Sequence, residues 1–203
     1  MRTGLPEFAT LMVEHALLVS IAVLVATAIG IPAGLLATHY PAVRRTALTT
    51  ASVFQTIPSL ALFGFLVPAP WIGGIGMRTA LIALILYALL PIVRNTVTGI
   101  ASIDPAIRDS AVAMGMTPRQ ILFHIEVPLA SRTILAGIRI ATVTTIGTAT
   151  IAAAIGGGGL GVLIFRGISM VDSRQILEGA IPAAVLAVAA DGILSWLESR
   201  LSR

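Results

Sequence analysis

The chain of 203 residues is 57% hydrophobic and only 11% charged, where a soluble domain carries about 45–50% apolar and about 25% charged residues. With a mean hydropathy of +0.98, too few charges remain to coat a soluble globule, and the composition specifies a polytopic membrane protein. The net charge of +4 comes from 13 arginines against nine acids, with no lysine and no cysteine; this excludes the Gly-Lys-Ser/Thr phosphate loop, disulfides, thiolate metal sites and cysteine nucleophiles.

Five apolar runs stand out, at about 16–37, 47–67, 79–100, 133–155 and 175–197. As a helix each reaches about 30 Å, the thickness of one hydrocarbon core. The sequence therefore predicts an all-α, multi-pass membrane protein of five transmembrane helices in a single domain, 1–203. The first run is about 22 residues long and further membrane follows it, so it reads as a span and not as a secretory leader. Orientation follows the arginines. With the N-terminus outside, Arg44, Arg45, Arg94, Arg108, Arg119, Arg132, Arg200 and Arg203 fall on the cytoplasmic side. Only Arg2, Arg78, Arg166 and Arg174 fall on the other, eight against four, which predicts N-out and C-in. A pI near 11.0 is then the positive-inside rule at work, and no nucleic-acid partner is expected. Trp71 and Trp196 fall near predicted interfaces, where amphipathic rings belong.

The longest polar connection, about 101–131, is cytoplasmic in this arrangement and carries the marks of two short helices joined by a corner. Asp104-Pro105 is an N-cap followed by proline at the first helical position. Gly115 is a helix stop. Thr117-Pro118-Arg119-Gln120 fits a capping box, and Pro128 is expected to end the second segment or bend it into the next span. The inner face is predicted to use Ile107, Ala111 and Met114, then Ile121, Leu122 and Ile125.

Within this connection Asp109-Ser-Ala-Val-Ala-Met-Gly115 is followed, after nine residues, by Ile125-Glu-Val-Pro128. The run resembles the EAA loop of permease subunits of binding-protein-dependent ABC importers: Glu-Ala-Ala, three residues, Gly, nine residues, Ile-x-Leu-Pro. Ala111, Gly115, Ile125 and Pro128 match, while Asp109, Ser110 and Val127 replace Glu, Ala and Leu. The stretches Gln55-Thr-Ile-Pro-Ser-Leu60, Leu90-Pro-Ile-Val-Arg-Asn-Thr96 and Ile155-Gly-Gly-Gly-Gly-Leu-Gly161 look like the osmoprotectant branch, which imports glycine betaine, choline and carnitine. The resemblance covers about residues 10–198. It implies a type I, methionine-permease-like arrangement in the inner or plasma membrane. It also implies docking of Asp109, Ser110, Ala111, Gly115, Met116, Ile125 and Pro128 on a cytoplasmic ATPase dimer.

On this resemblance ATP and Mg²⁺ belong to that partner, and this chain holds no cofactor, no metal and no catalytic residue. The other partners implied are a second permease copy or sister permease, the lipid bilayer and an extracytoplasmic solute-binding protein. The last is expected as a separate chain, since this one stops at Arg203. Transport would proceed by alternating access: ATP binding draws the coupling helices together, and hydrolysis resets the inward-facing state.

Polar residues inside the spans are functional candidates because they are costly there. Gln55, Thr56 and Ser59 surround Pro58, which frees a carbonyl in the second span; they read either as a wall of the solute path or as a packing kink. Asn95 belongs with the same path. In the fourth span Thr142, Thr145 and Thr148 recur on one broad face. That face reads as path, or as packing in which hydroxyls return to the i−4 carbonyl. Arg139 and Asp191 should both lie about 10 Å inside the cytoplasmic interface, and an ion pair between the fourth and fifth spans is expected. Two Trp, two Tyr and six Phe are scattered along the chain, too dispersed for the aromatic cage that captures a quaternary ammonium. Selective capture therefore falls to the binding protein.

Gly156, Gly158 and Gly161 spell G-x-G-x-x-G, but a membrane run precedes them and not a strand, so a sharp turn or gate hinge is the better reading. His15, His39 and His124 lack a metal-ligand spacing, and no G-x-S-x-G elbow occurs. The rival readings are a permease for another small solute such as methionine, a secondary transporter, for which Asp191 is the sole acid well inside a span, and an intramembrane enzyme.

Overall fold

The computed structural model describes residues 4–70 and 73–200, all helical or connecting; Trp71, Arg2 and Arg203 lie outside them. Helix α1 (Leu5–His39) starts with Pro6 in its first turn and runs for 35 residues. It stops at Tyr40, which precedes Pro41 and is extended at φ −123°, ψ 104°, the conformation that a following proline imposes. Helix α2 (Pro41–Thr56) and the short α3 (Ser59–Leu66) follow, then α4 (Met77–Ala101).

The connection predicted to be two short helices becomes α5 (Pro105–Ala113) and α6 (Pro118–Ile121). A π-helical turn, Leu122–Glu126, carries the chain into α7 (Val127–Ala152). Helix α8 (Gly161–Met170) and the final α9 (Ser173–Arg200) complete the fold.

Among the described residues four helical stretches are long and apolar enough to cross a membrane, and there is a fifth span if α2 and α3 together count as one. The second predicted run is broken at the proline that the sequence marked there: it is two helices, meeting at 101°. Pro58 is the cause. Ile57 before it adopts φ −69°, ψ 128°, because the proline ring disfavours the helical region for its predecessor. The hydroxyl of Tyr87 on α4 donates to the Ile57 carbonyl and satisfies the break. Helix α8 had no counterpart among the predicted runs; at 10 residues it is too short to span, and it folds back on α9.

Helices α1, α4 and α7 form the centre. The axes of α1 and α4, and of α4 and α7, approach closely because glycine faces bulk at those crossings, the small-residue packing typical of membrane helices. A Cβ at Gly34 would lie 2.6 Å from Thr96 Cβ, and one at Gly137 would lie 2.6 Å from Asn95 Cβ. Around these crossings Leu18, Ala22, Phe63, Ala83, Leu84, Ile146 and Ala149 make one buried cluster. By contrast, α9 shows Leu177, Ile181, Val185 and Val188 on an open face, as expected of a helix whose environment is lipid or another subunit.

Candidate coupling and transport site

The coupling segment is built from local signals. The Asp104 carboxylate accepts from Ala106 N at 2.9 Å and starts α5. The helix closes with a Schellman pattern: Gly115, at φ +79°, donates to Val112 O, and Met116 N reaches Ala111 O at 3.1 Å. Only glycine adopts that φ without strain. The Thr117 side chain and Gln120 then form a complete capping box. Ser110 returns its hydroxyl to Ala106 O at 2.7 Å.

The expected inner face needs correction. Ala111 is fully buried, but Ile107 and Met114 are exposed, together with Val112 and Phe123; Ile121, Leu122 and Ile125 are half-buried. What faces inward is a charged pair. Arg108 Nε lies 2.6 Å from Glu126 Oε1, and Glu126 is buried at 4% exposure. Asp109, Ser110, Val112, Met114 and Gly115 are on the outside of the corner, Met116 is half-buried and Pro128 exposed.

Pro128 does not end the second segment. The chain stays helical from Pro118 to Ile155, because the π turn relaxes the ladder ahead of the proline: Val127 N bonds Leu122 O, five residues back. The wider turn absorbs the clash that a proline ring makes with the i−4 carbonyl.

The candidate path residues separate. Gln55 and Thr56 are exposed at the α2–α3 break and Ser59 is half-exposed. Thr148 is half-exposed, with its hydroxyl on Thr144 O at 2.9 Å. Thr145 is buried at 1% exposure, so it faces the chain's own core. Asn95 packs against Gly137 and donates to Pro91 O at 2.8 Å. Thr142, Thr144 and Thr150 also return their hydroxyls to their own helix, which lowers the cost of threonine in an apolar setting.

Arg139 Nε stands 3.7 Å from Asp191 Oδ1 and 3.7 Å from Glu198 Oε2; Arg132 Nε reaches the other Glu198 oxygen at 3.5 Å. Two arginines seven apart on α7 thus face two acids seven apart on α9. Sequence reasoning missed Glu198, although its spacing from Asp191 repeats that of Arg132 from Arg139. It also missed Glu14, whose Oε2 accepts from Gly159 N at 3.1 Å and pins the glycine turn to α1. In that turn Gly156, Gly158 and Gly159 all have φ near +76° to +79°, so it is a sharp turn that L-residues resist.

The bundle thus carries a corner of two capped helices between its fourth and seventh helices and polar groups at the break between α2 and α3. Residues 30–203 match the family described as binding-protein-dependent transport system inner membrane component. The chain is 44% identical over 190 residues to the choline transport system permease protein OpuBD of Bacillus subtilis, covering 93% of this chain and 83% of that one. It is also 44% identical over 190 residues to the glycine betaine/carnitine/choline transport system permease protein OpuCD of Bacillus subtilis, covering 93% and 82%. Against the osmoprotectant import permease protein OsmW of Salmonella typhimurium the identity is 44% over 195 residues, covering 95% and 89%. In fold it is similar to a chain of the MetNI methionine ABC transporter in an inward-facing conformation, with a TM-score of 0.86 at 21% identity over 99% of this chain and 100% of that one. The chain belongs to the binding-protein-dependent transport system inner membrane component family, and as a permease of an ABC importer it works with an ATPase and a substrate-binding protein.

Proposed function

We propose that this chain imports quaternary ammonium osmoprotectants, of the glycine betaine, choline and carnitine class, as the permease subunit of an ABC importer. The observation that carries the coupling role is the corner at Gly115, which holds two capped helices in fixed relation and turns Asp109, Val112 and Met114 outward. The solute class follows the three relatives that are 44% identical; the likeness to the methionine transporter, at 21% identity, extends to fold alone.

In this reading the N-terminus is outside, the C-terminus inside and residues 1–203 one permease domain that pairs with a second permease. The partner ATPase binds ATP and Mg²⁺ and seats the corner in its groove. Asp109, Ser110, Met116, Ile125 and Pro128 form or support that seat. Gln55, Thr56, Ser59 and Thr148 supply a mildly polar wall that suits a solute with a fixed charge and few hydrogen-bond donors. The α7–α9 charges hold the cytoplasmic halves of two spans together.

Uptake of labelled glycine betaine and choline into proteoliposomes, with the co-expressed ATPase and binding protein, tests the reading. Uptake that requires ATP and is stimulated by the binding protein is expected. Uptake driven by an ion gradient without ATP would overturn it.

A further inference from the structure

The Arg108 guanidinium joins three elements. It projects from α5, donates through Nε to Glu126 Oε1 at 2.6 Å on the π turn that feeds α7, and donates through Nη2 to Ile100 O at 2.5 Å in the last turn of α4. Glu126 is buried at 4% exposure, and its second oxygen has no hydrogen-bond partner. The carboxylate therefore depends on Arg108 alone among the described residues. A cavity of about 440 Å³ opens beside the pair, lined also by His39 from the end of α1 and Arg44 from α2. The end of α4, the root of α7 and the coupling corner thus meet in one charged contact, with the end of α1 and the start of α2 lining the cavity beside it.

Neither residue belongs to the outward face of the corner. Arg108 is half-buried directly before the exposed Asp109, and Glu126 occupies the position between Ile125 and Val127. A guanidinium is planar, and its donors lie in a fixed fork. A displacement of α5 therefore pulls on the α4 terminus and on the root of α7 together, where a flexible side chain or an apolar contact would let α5 slide. The π turn places Glu126 at the root of α7, and such turns concentrate at functional positions.

We infer that Arg108 and Glu126 are positioning residues that transmit motion of the docked corner to α4 and α7, so that ATP hydrolysis is tied to opening of the path. The inference rests on the docking of α5 on the ATPase proposed above. Arg108 and Glu126 act behind that contact and do not make it.

The test uses the full transporter in proteoliposomes with three readouts: ATPase retained on purification, ATP hydrolysed, and labelled glycine betaine taken up per ATP. Arg108→Ala and Glu126→Gln should retain the ATPase and hydrolyse ATP, while uptake per ATP falls about 5-fold or more, the lower end of coupling between sites. Arg108→Lys should be intermediate, because one ammonium can meet Glu126 but does not reproduce the fork to Ile100 O. The exchange Arg108→Glu with Glu126→Arg should recover part of the loss. Wild-type stoichiometry in Arg108→Ala and Arg108→Lys would overturn the inference. So would loss of the ATPase or of assembly in all variants, since the pair would then serve docking or folding only. Asp109→Arg separates the two claims: if it leaves the ATPase bound and coupled, the docking reading fails whatever the Arg108 variants do.

Discussion

Arg139 on α7 and Asp191 on α9 face each other, Nε to Oδ1 at 3.7 Å, and Glu198 shares the same nitrogen at the same distance. The acids are not equivalent. The Asp191 side chain is 53% exposed, whereas that of Glu198 is 16% exposed and serves Arg132 as well. An enclosed carboxylate shared by two cations holds the helices more firmly than an open one, since a buried charge left without its partner is costly.

Glu198→Gln is therefore expected to lower the stability of the purified transporter more than Asp191→Asn, by about 1–3 kcal/mol, the cost of impairing a hydrogen-bonded charged group. Thermal unfolding in nanodiscs checks the ranking. Arg139→Glu should be worse than either, with partial recovery on adding Asp191→Arg. Equal losses in the single and double reversals would show that Arg139 relies on Glu198 instead.

Glycine at the helix crossings gives a second expectation. Gly137→Val puts bulk where a Cβ already meets Asn95 Cβ at 2.6 Å and Pro91 O at 2.8 Å. Overpacking of this kind costs about 1–3 kcal/mol, and yield and thermal stability should fall. Gly192→Ala is the control, because nothing lies within 4 Å of the added methyl; it should be neutral or gain up to about 1 kcal/mol in helix propensity.

The break between α2 and α3 offers a third. Tyr87→Phe removes the one hydroxyl that satisfies the Ile57 carbonyl, at a cost of about 1 kcal/mol. The angle there should then loosen. Because the chain has no cysteine, a pair of labels on cysteines introduced together at positions 54 and 60 reports the change cleanly. A broader distance distribution between paired labels is expected in Tyr87→Phe, and an unchanged one would show that Pro58 holds the angle by itself.

At the glycine turn between α7 and α8, Gly159→Ala meets two obstacles: φ of +76° and the His15 ring, 3.0 Å from the new methyl. Left-handed backbone in a non-glycine residue costs about 1–3 kcal/mol. Glu14→Ala keeps the glycine but removes the acceptor for Gly159 N. Both variants should speed amide hydrogen exchange across residues 156–160, with Gly159→Ala the larger effect. Protection equal to wild type in Glu14→Ala would mean the turn holds without α1.

The apolar runs and the corner were legible in the sequence for a local reason. Asp104, Gly115 and Thr117 act on backbone groups within a few residues of themselves, so their spacing already states the turn. The inner face of the corner was not legible. Periodicity favoured Ile107 and Met114, yet both are exposed, because Arg108 finds Glu126 eighteen residues away and the pair takes the inward position. Pro58 marked a disturbance in the second run, but not that it would reach 101°, since Tyr87, thirty residues beyond Ile57, satisfies the bend.

Composition by itself determined that this chain lies in a membrane, because 11% charged residues cannot solvate its surface, and local caps determined the helical corner. The tertiary structure alone decided which groups meet across it: Thr145 turned inward, Glu198 shared between two arginines, and Arg108 bolted to Glu126 and Ile100. Those outcomes depend on how helices distant in the chain cross, and crossing is set by the fit of glycines against bulky neighbours, which no single stretch of sequence contains.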